Sequence, residues 1–325
     1  MSGYTGEELK DKEVLVTGGC GAIGSNLVKE LLERGCRRVY VIDNLSSSHE
    51  TNMPKSEKII LLRKDIRNKE AVKDLSHYAI EYIFHLAARF ANQNSVENPE
   101  TDLKTNILGT LHVLELANHL KVKKFVYVSS SCVYGNQEGT LTEESSRLDD
   151  LGTPYAISKL TGEHYTRWFH RMYNLPIVIV RLFNSYGPGE LPGKYRNVIP
   201  NFVAKALNNQ PLQITGTGEE TRSFTFVEDT VDGIIRAACV QEAAGEVFNI
   251  GNEAETKIYD LAVLINQLAN NSAGIQVGER RSWDHVAKRR ASIDKARNVL
   301  GYEPKTNLES GIKKTVEWFK DKKVA

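Results

Sequence analysis

The sequence predicts an α/β protein with a doubly wound parallel sheet and a smaller C-terminal lobe. Three observations lead to this fold class. Short β-branched runs alternate with longer helical patterns through the first half of the chain. Several runs are apolar nearly throughout, which is typical of strands that helices cover on both faces. The first run ends in a cluster of glycines that leads straight into a helix.

Six runs in the first half of the chain are predicted to be strands of one sheet. They are Glu13–Thr17, Arg38–Ile42, Ile59–Leu62, Glu81–Leu86, Lys124–Ser129 and Ile177–Leu182. The first connecting helix is predicted over Ile23–Arg34, because its apolar residues recur at helical spacing and form one stripe.

The regular alternation of strand and helix patterns ends after about Asn184. A turn-rich passage at Tyr186–Gly193 precedes a helix predicted near Val198–Asn208. One more buried strand is predicted at Val247–Gly251, and a basic loop is predicted over Glu279–Arg290.

The chain of 325 residues is long enough for one large α/β unit or two closely associated domains. We expect residues 1–184 to form the larger unit, with segments around 224–251 returning to its sheet. Residues 185–325 are expected to form mainly the smaller lobe.

Composition and charge argue against several classes of function. Lys and Arg number 42 against 41 Asp and Glu, so net charge gives no reason to expect a nucleic acid or an anionic membrane as partner. The N-terminus lacks a signal peptide's apolar core, and no apolar stretch reaches the roughly 18 residues of a membrane span. Four scattered cysteines without zinc-site spacing predict reduced thiols and no metal site. We therefore expect a cytoplasmic protein.

The glycine cluster at Thr17–Gly24 lies between the first strand and the first helix. Gly19, Gly21 and Gly24 fit G-x-G-x-x-G, and Gly18, Gly21 and Gly24 fit the related G-x-x-G-x-x-G. Without Cβ atoms the backbone turns tightly and approaches a pyrophosphate, which then meets the N–H groups of the helix N-terminus. Alone, the motif is equally compatible with an ordinary strand-to-helix turn. In its complete context it predicts a dinucleotide site on a Rossmann-type sheet.

Two acidic residues follow the second and third strands. Asp43 lies about 20 residues beyond the last glycine, where a carboxylate accepts hydrogen bonds from the adenosine ribose hydroxyls. It would repel a 2′-phosphate, and no Arg or Lys follows in Asn44–Ser48, so NAD is favoured over NADP. Asp65 and Ile66 are expected to meet the adenine, although a helix N-cap is a comparable interpretation of Asp65.

Tyr155 and Lys159, four residues apart, open a predicted helix that begins at Pro154. Their spacing puts the phenol and the ammonium on one helix face. The ammonium and a nicotinamide cation would lower the phenol's pKa from its ordinary value of about 10 and make it a base. This spacing is common in helices. Its significance comes from Tyr127–Gly135, a strand end that delivers several serines to the edge where α/β sheets bind ligands.

With these motifs the chain resembles an extended short-chain dehydrogenase/reductase, in the branch of nucleotide-sugar epimerases, dehydratases and decarboxylases. The matching pieces span nearly the whole sequence and are far more specific for this branch than for one reaction. They are the glycine loop, Asp43–Leu45, His85–Ala88, Asn106–Thr110, Ser129–Gly135, Tyr155–Lys159, Arg181–Asn184, Thr221–Phe224 and Phe248–Gly251.

The resemblance implies roles for matching residues. Tyr155 would be the base that removes a hydroxyl proton, Lys159 would hold the nicotinamide ribose, and Ser130 would take the Ser/Thr role. Ser130 is chosen because it lies three residues before Val133, the family's usual offset. The implied NAD contacts are Gly18, Gly21, Ala22, Ile23, Gly24, Asp43, Asn44, Asp65, Ile66, Leu86, Ala87, Ala88, Asn106, Tyr155 and Lys159.

The resemblance also implies a nucleoside-diphosphate sugar as substrate. Asn184 resembles the asparagine that contacts the diphosphate, and Arg222 the arginine that clamps it with its guanidinium. Arg281 and Asp284 keep the Arg-x-x-Asp spacing with which related 4-epimerases hold phosphate and ribose. Either arginine could instead be a surface ion-pair residue. The expected substrate contacts are Ser131, Cys132, Asn184, Asn197, Val198, Arg222, Arg281 and Asp284.

By resemblance, enzymes of this branch first oxidise C4 of the sugar to a ketone. The residues expected to face that ketone then distinguish the different reactions. Similar dehydratases carry Asp-Glu where this chain has Ser131 and Cys132, and decarboxylases carry Glu at the position of Cys132, so both reactions are disfavoured. Cys132 resembles the proton-exchanging cysteine of GDP-sugar 3,5-epimerases. Their second acid/base, a His or Lys, is replaced by Asn197 and Val198. A small apolar residue at a strand end is the more frequent interpretation of Cys132.

We therefore expect a nucleotide-sugar 4-epimerase, which oxidises C4 to a ketone, lets the sugar rotate and returns the hydride to the opposite face. The alternatives are a C4 dehydrogenase of GDP-sugars or a 3,5-epimerase that uses Cys132, and a 4,6-dehydratase or decarboxylase. A non-catalytic NAD(H) sensor would predict a broken Tyr155/Lys159/Ser130 set, whereas this set is intact.

Two amphipathic segments, near Asn106–Asn118 and Pro154–Met172, bear on oligomeric state. By resemblance such helices pair into the four-helix bundle of a homodimer. Burial within one chain is equally compatible with their pattern.

Overall fold

The computed structural model describes residues 4–146, 149, 151–279 and 286–323. Its strands are β1 (Glu13–Thr17), β2 (Arg38–Ile42), β3 (Ile59–Leu62), β4 (Tyr82–His85), β5 (Lys124–Ser130), β6 (Gly139–Leu141), β7 (Ile177–Leu182), β8 (Ser185–Tyr186), β9 (Leu212–Thr215), β10 (Thr221–Ser223), β11 (Thr225–Phe226), β12 (Val247–Ile250), β13 (Glu255–Lys257), β14 (Ile275–Gly278) and β15 (Lys288–Ala291). Its α-helices are α1 (Ala22–Glu33), α2 (Lys69–Lys73), α3 (Asn92–Glu97), α4 (Pro99–Leu103), α5 (Thr110–Leu120), α6 (Pro154–Tyr173), α7 (Val198–Leu207), α8 (Val227–Cys239), α9 (Ile258–Ala269), α10 (Asp294–Leu300) and α11 (Leu308–Lys322).

Seven parallel strands form the central sheet in the order β12-β7-β5-β4-β1-β2-β3. This confirms the predicted doubly wound sheet, in which the chain starts at β1 and extends toward both edges. β1, β2, β3 and β7 have the predicted bounds, whereas β4 is one residue shorter at each end and β5 one residue longer. The strand predicted at Val247–Gly251 is β12, which pairs with β7. The helices predicted over Ile23–Arg34 and near Val198–Asn208 are α1 and α7, within one residue at each end.

Both faces of the sheet are buried, which explains why its strands are apolar throughout. Val14 and Val16 of β1 belong to a core that takes the apolar faces of α1 and α8. Leu15, between them, belongs to the opposite core, beneath α5. Because successive residues of a strand point to opposite faces, each apolar position has a core to fill.

The smaller lobe has a core of its own, formed mainly by α7, α9, α11 and β9. A four-stranded sheet, β13-β10-β15-β6, joins segments from both halves of the chain. Strand β15 corrects the prediction of a basic loop over Glu279–Arg290. Its backbone pairs with β10 and β6. Arg289 is buried, and its guanidinium donates to the carbonyls of Ser131 and Gly135, so this basic residue is a packing element of the sheet.

The two amphipathic helical segments form as predicted, with one difference. α6 begins at Pro154, and the preceding Thr153 caps it by accepting from the Ala156 N–H. The segment predicted as helical from Asn106 begins as a widened helical turn, Lys104–Gly109, and α5 follows at Thr110. Among the described residues, no helix combines the length and apolarity that crossing a membrane requires.

Candidate active site

A cavity of about 900 Å³ lies at the carboxyl ends of the central strands and extends into the smaller lobe. It opens where the chain order of the sheet reverses, between β1 and β4, which is where open α/β sheets bind ligands. Most predicted site residues line it: Gly18, Gly21, Ala22, Ile23, Gly24, Asp43, Asn44, Ile66, Leu86, Ala87, Ala88, Ser130, Ser131, Cys132, Tyr155, Lys159, Asn184, Asn197, Val198 and Arg222. Asp65 and Asn106 do not line it, and Arg281 and Asp284 lie outside the described residues.

The glycine loop between β1 and α1 has no room for side chains. A Cβ on Gly24 would lie 2.2 Å from the Gly18 carbonyl oxygen, and a Cβ on Gly18 would lie 2.8 Å from the Ala87 backbone. Gly18 also has a positive φ of 70°. The N-cap of α1 is Gly21, which has no side chain to occupy the first N–H groups of the helix. This backbone cradle fits the pyrophosphate of a dinucleotide.

The Asp43 carboxylate lies beside this loop, directly after β2. Its Oδ2 accepts from the Cys20 backbone N–H at 3.0 Å. Its Oδ1 accepts from the Leu45 N–H at 2.9 Å and from the Ser48 hydroxyl at 2.8 Å. These bonds fix an anionic acceptor at the cavity wall, which fits a ribose diol and disfavours a 2′-phosphate. The donor and acceptor set therefore fits NAD.

Asp65 and Asn106, both predicted as direct NAD contacts, form hydrogen bonds with residues that line the cavity. Asp65 accepts from the Asn44 amide at 2.8 Å and from the Arg67 guanidinium, and Arg67 holds the pKa of Asp65 at about 2. Asn44 and Arg67, the partners of Asp65, line the cavity. Asn106 accepts from the Arg89 N–H at 2.7 Å and donates to the Arg89 carbonyl. Arg89 also lines the cavity.

Tyr155, Lys159 and Ser130 converge on the cavity wall. The first two come from the beginning of α6, and Ser130 ends β5. The Ser130 hydroxyl accepts from the Cys132 N–H at 3.2 Å and lines the same cavity wall as Tyr155. The Lys159 ammonium donates to the Val128 carbonyl at 2.6 Å and lies 4.6 Å from the centre of the Tyr127 ring. One helix turn and one strand end therefore suffice to assemble the predicted catalytic set.

Burial changes the titration of both α6 residues. Tyr155 is 5% exposed, and this burial raises the pKa of its phenol well above the ordinary value. Burial also lowers the pKa of Lys159 to about 8. Desolvation and the Asp102 carboxylate both disfavour the phenolate, and the Lys159 ammonium is bonded to the Val128 carbonyl, so the protein by itself does not lower the Tyr155 pKa as predicted. A cationic ligand in the cavity would supply charge that favours the phenolate.

A buried ion pair supports this cluster from below. Glu163 on α6 and Arg181 on β7 are 1% and 3% exposed and form two hydrogen bonds, at 2.9 and 2.7 Å. Glu163 also accepts from the Ser129 hydroxyl at 2.6 Å. Ser129 is therefore committed to this network, whereas Ser130 lines the cavity together with Tyr155. The sequence held one signal for Glu163, since it lies four residues after Lys159 on the same helix.

Asp102 is a second buried carboxylate that sequence reasoning missed. It is 1% exposed and accepts from the Asn106 amide at 2.8 Å. Burial raises the pKa of Asp102, and its charge in turn favours the protonated form of Lys159. No local pattern marks Asp102, because its burial depends on α4 packing against α6.

The expected substrate contacts Asn184 and Arg222 line the far side of the cavity. Asn184 follows β7 in a left-handed conformation with φ of 38°, and its amide donates to the Ser223 carbonyl at 2.8 Å. The Arg222 guanidinium donates to the carbonyls of Thr221 and Val286 at 2.8 and 2.9 Å. These bonds hold a cation and an amide toward the space that a diphosphate would need.

The segment Gly187–Asn197, here called the roof segment, covers the cavity between the two lobes. It carries Glu190, a buried carboxyl on the cavity wall that the sequence did not single out. Glu190 accepts from the Asn197 amide at 3.1 Å. It lies in the turn-rich passage of the sequence, and the folded chain buries it.

The cradle, the Tyr/Ser/Lys cluster and the two-lobed cavity together match one known family. The sequence model of the NAD dependent epimerase/dehydratase family matches residues 14–251. The chain belongs to this family. NAD is accordingly its cofactor, as predicted, and Gly18, Gly21 and Gly24 with Asp43 are the residues whose geometry fits it.

Known proteins that resemble this epimerase/dehydratase family member catalyse different reactions. The structure of epimerase Mth375 from Methanothermobacter thermautotrophicus has a TM-score of 0.95 and 48% identity, covering 97% of this chain and 94% of that one. UDP-glucose 4-epimerase from Thermotoga maritima, solved with UDP-glucose, has a TM-score of 0.89 and 34% identity, covering 95% and 99%. A UDP-N-acetyl-alpha-D-glucosaminuronate decarboxylase from Bacillus cytotoxicus is 34% identical over 95% of this chain and 98% of its own. Membership of the family therefore does not by itself specify the reaction.

Proposed function

We propose that this NAD-dependent enzyme is a nucleotide-sugar 4-epimerase, which oxidises C4 of a nucleoside-diphosphate sugar and reduces the ketone from the opposite face. The observation that carries the proposal is the set of residues beside Tyr155. Ser130, Ser131 and Cys132 line the cavity where dehydration or decarboxylation would call for a carboxylate. The remaining chemistry needs one proton carrier and a retained hydride acceptor.

In this mechanism the Tyr155 oxygen takes the C4 hydroxyl proton while Ser130 hydrogen-bonds the same substrate oxygen. Lys159, whose pKa is about 8, remains mainly protonated at neutral pH and favours the phenolate. Bound NAD would supply the hydride acceptor and return the hydride. Because Tyr155 is almost fully buried, bulk water does not compete for its proton. After the keto sugar has rotated, Tyr155 returns the proton to the C4 oxygen.

Rotation of the keto sugar between the two hydride transfers requires that the diphosphate stays anchored while the ring moves. The proposed anchors are Arg222 and Asn184 with Asn197 and Val198, all from the far side of the cavity. A cavity of about 900 Å³ is at the upper end of typical ligand sites, which suits two ligands side by side.

A second candidate, 3,5-epimerisation, is favoured by one observation. Cys132 lies half-buried on the same cavity wall as Tyr155. A thiol there could exchange a carbon-bound proton next to the ketone. The residues that would have to supply the second acid/base, Asn197 and Val198, cannot transfer a proton.

The test is incubation of the NAD-loaded enzyme with UDP-, GDP-, CDP- and dTDP-sugars in D₂O, with products identified by NMR. We expect inversion at C4 without deuterium in the product. Tyr155→Phe should lower kcat by at least about 100-fold, whereas the exposed Tyr259→Phe should leave it unchanged. Deuterium at C3 or C5 would transfer the assignment to the Cys132 reaction, and full turnover by Tyr155→Phe would remove the mechanism.

We also propose a homodimer, supported by the distribution of exposed apolar side chains. Most of those on the described surface cluster on α4, the turn Lys104–Gly109 and α6, which pack against one another. They are Leu103, Leu108, Ile157, Tyr165, Trp168, Met172 and Tyr173. Two such helical faces together would form a four-helix bundle. Light scattering should give a dimer for the native chain and a monomer for Trp168→Glu/Met172→Glu.

A further inference from the structure

Glu190 is a buried carboxyl on the wall of the cavity that a nucleotide sugar is proposed to fill. Its side chain is 6% exposed. Its Oε1 accepts from the Asn197 side-chain amide nitrogen at 3.1 Å. Since Asn197 is the N-cap residue of α7, Glu190 fixes both an expected substrate contact and the beginning of that helix.

The backbone at Glu190 is held against the NAD cradle. A Cβ on the preceding Gly189 would lie 3.2 Å from the Ala22 carbonyl oxygen, at the start of α1. The Gly189 carbonyl accepts from the Asn52 amide at 3.1 Å. These contacts place the backbone next to Glu190 beside the NAD cradle.

Near neutral pH the Glu190 side chain is present both as the neutral carboxyl and as the carboxylate. Among the described residues, Arg196 is the cation whose charge acts on it, and the Arg196 guanidinium is bonded to the Ser47 carbonyl. Burial outweighs this attraction and raises the pKa of Glu190 to about 7. A dianionic diphosphate entering the same buried space would further disfavour the carboxylate.

We propose that Glu190 is a positioning residue that takes up one proton when the sugar nucleotide binds and, in its neutral form, keeps Asn197 in place without repelling the diphosphate. The proton comes from solvent and stays on the carboxyl, and no covalent bond of the substrate changes. A neutral carboxyl still offers an acceptor oxygen to the Asn197 side-chain amide. This inference rests on the proposed function, because it requires a diphosphate ligand.

Proton uptake makes binding pH-dependent in one direction. Above pH 7 the ligand-free enzyme must first gain a proton, so substrate affinity should fall by up to about tenfold per pH unit. Glu190→Gln is the matched variant, since an amide has the same shape, keeps an acceptor for Asn197 and cannot ionise. Its affinity should not follow this dependence.

The first experiment measures protons and kinetics on the NAD-loaded enzyme. Calorimetric titration with UDP-glucose at pH 8, in two buffers of different ionisation enthalpy, should show close to one more proton taken up by the native chain than by Glu190→Gln. KM of the native chain should rise from pH 7 to 8.5 while that of Glu190→Gln stays flat, and the pH profile of kcat should remain parallel in the two proteins. Equal proton uptake with parallel KM profiles would overturn the proposal.

A second experiment separates this proposal from the proposed function, because it needs no ligand. A carboxyl whose folded-state pKa is raised to about 7 binds more protons in the folded than in the unfolded chain between its ordinary pKa of 4.5 and pH 7. The Tm of the native chain relative to Glu190→Gln should therefore fall as pH rises through this window. Glu190→Leu provides the same comparison if the glutamine variant folds poorly. A constant Tm difference would overturn the proposal whether or not any sugar turns over.

Discussion

Two ion pairs at opposite sides of the cavity differ in almost every physical respect. Arg181 and Glu163, beneath the Tyr155 cluster, are 3% and 1% exposed and share two hydrogen bonds. Lys194 and Glu97, at the roof segment, are 61% and 36% exposed and meet at 2.7 Å. The first pair is shielded from water and salt, whereas the second is screened by both.

The comparison teaches how each side of the cavity is held. The buried pair ties α6 to β7 within the core. The roof segment is instead held by single bonds to the rim, such as the Asn26 amide to the Pro188 carbonyl at 2.8 Å and the Tyr195 hydroxyl to Glu97 at 2.6 Å. We therefore expect changes below the cavity to affect stability and changes at the roof to affect ligand exchange.

The largest effect is expected for Glu163→Gln. The substitution leaves the Arg181 guanidinium buried without a counter-charge, which typically costs about 3–5 kcal/mol of unfolding free energy. Urea denaturation measures the loss. The double variant Glu163→Leu/Arg181→Met removes both charges and should recover most of it. A loss in the single variant no larger than that in Glu97→Gln would contradict the distinction between the two sides.

The next effect concerns the cradle, which is held by backbone contact rather than by charge. Gly24→Ala puts a Cβ 2.2 Å from the Gly18 carbonyl oxygen, so the loop must shift. Such overpacking costs about 1–3 kcal/mol and should weaken NAD binding at least tenfold. Gly278→Ala is the control, because its Cβ would have an ordinary 3.6 Å contact. Fluorescence titration measures the NAD affinity of both variants. Equal affinity would contradict the assignment of the glycine loop as the NAD cradle.

A smaller effect follows from Lys159. Burial lowers its folded-state pKa to about 8 from 10.5, so between these values the unfolded chain binds more protons. The stability of the NAD-free chain should therefore rise with pH across this window, by at most about 1.4 kcal/mol per pH unit. The measurement is Tm from pH 7.5 to 9.5, relative to Lys159→Met. A pH-independent difference between the two proteins would show that Lys159 titrates normally.

The smallest effect on stability is expected for Glu97→Gln. An exposed pair contributes little, so Tm should be nearly unchanged. Loss of a roof contact should nevertheless speed NAD release roughly two- to fivefold at low ionic strength, and salt should remove the difference. Stopped-flow release of NADH measures the rate. If the variant lowers Tm as much as Glu163→Gln does, the roof segment is part of the core after all.

Much of the fold was predictable because its signals are local. The apolar strands, the glycine loop and the helix that begins at Pro154 each depend on residues close together in the chain. The basic stretch that contains β15 was predicted wrongly for the opposite reason. Its pairing partners, β10 and β6, lie far away in sequence, and composition alone could not reveal them.

The site shows the same difference between features that depend on local sequence and features that depend on packing. Tyr155 and Lys159 share a helix face by their spacing, and Ser130 reaches them because parallel strands end at one edge. Asp65 and Asn106, both expected to contact NAD, bond to the Arg67 guanidinium and to the Arg89 backbone N–H, respectively. Which neighbour a polar group chooses depends on three-dimensional packing.

By itself the sequence determined the sheet and the use of NAD, and it pointed to Tyr155, Lys159 and Ser130 as the proposed catalytic set, since each signal rests on short-range geometry. Only the tertiary structure decided which ionisable groups lose their water. The burial of Glu190, Asp102 and Glu163 comes from elements that are distant in the chain, and desolvation, unlike periodicity, is a property of the assembled fold.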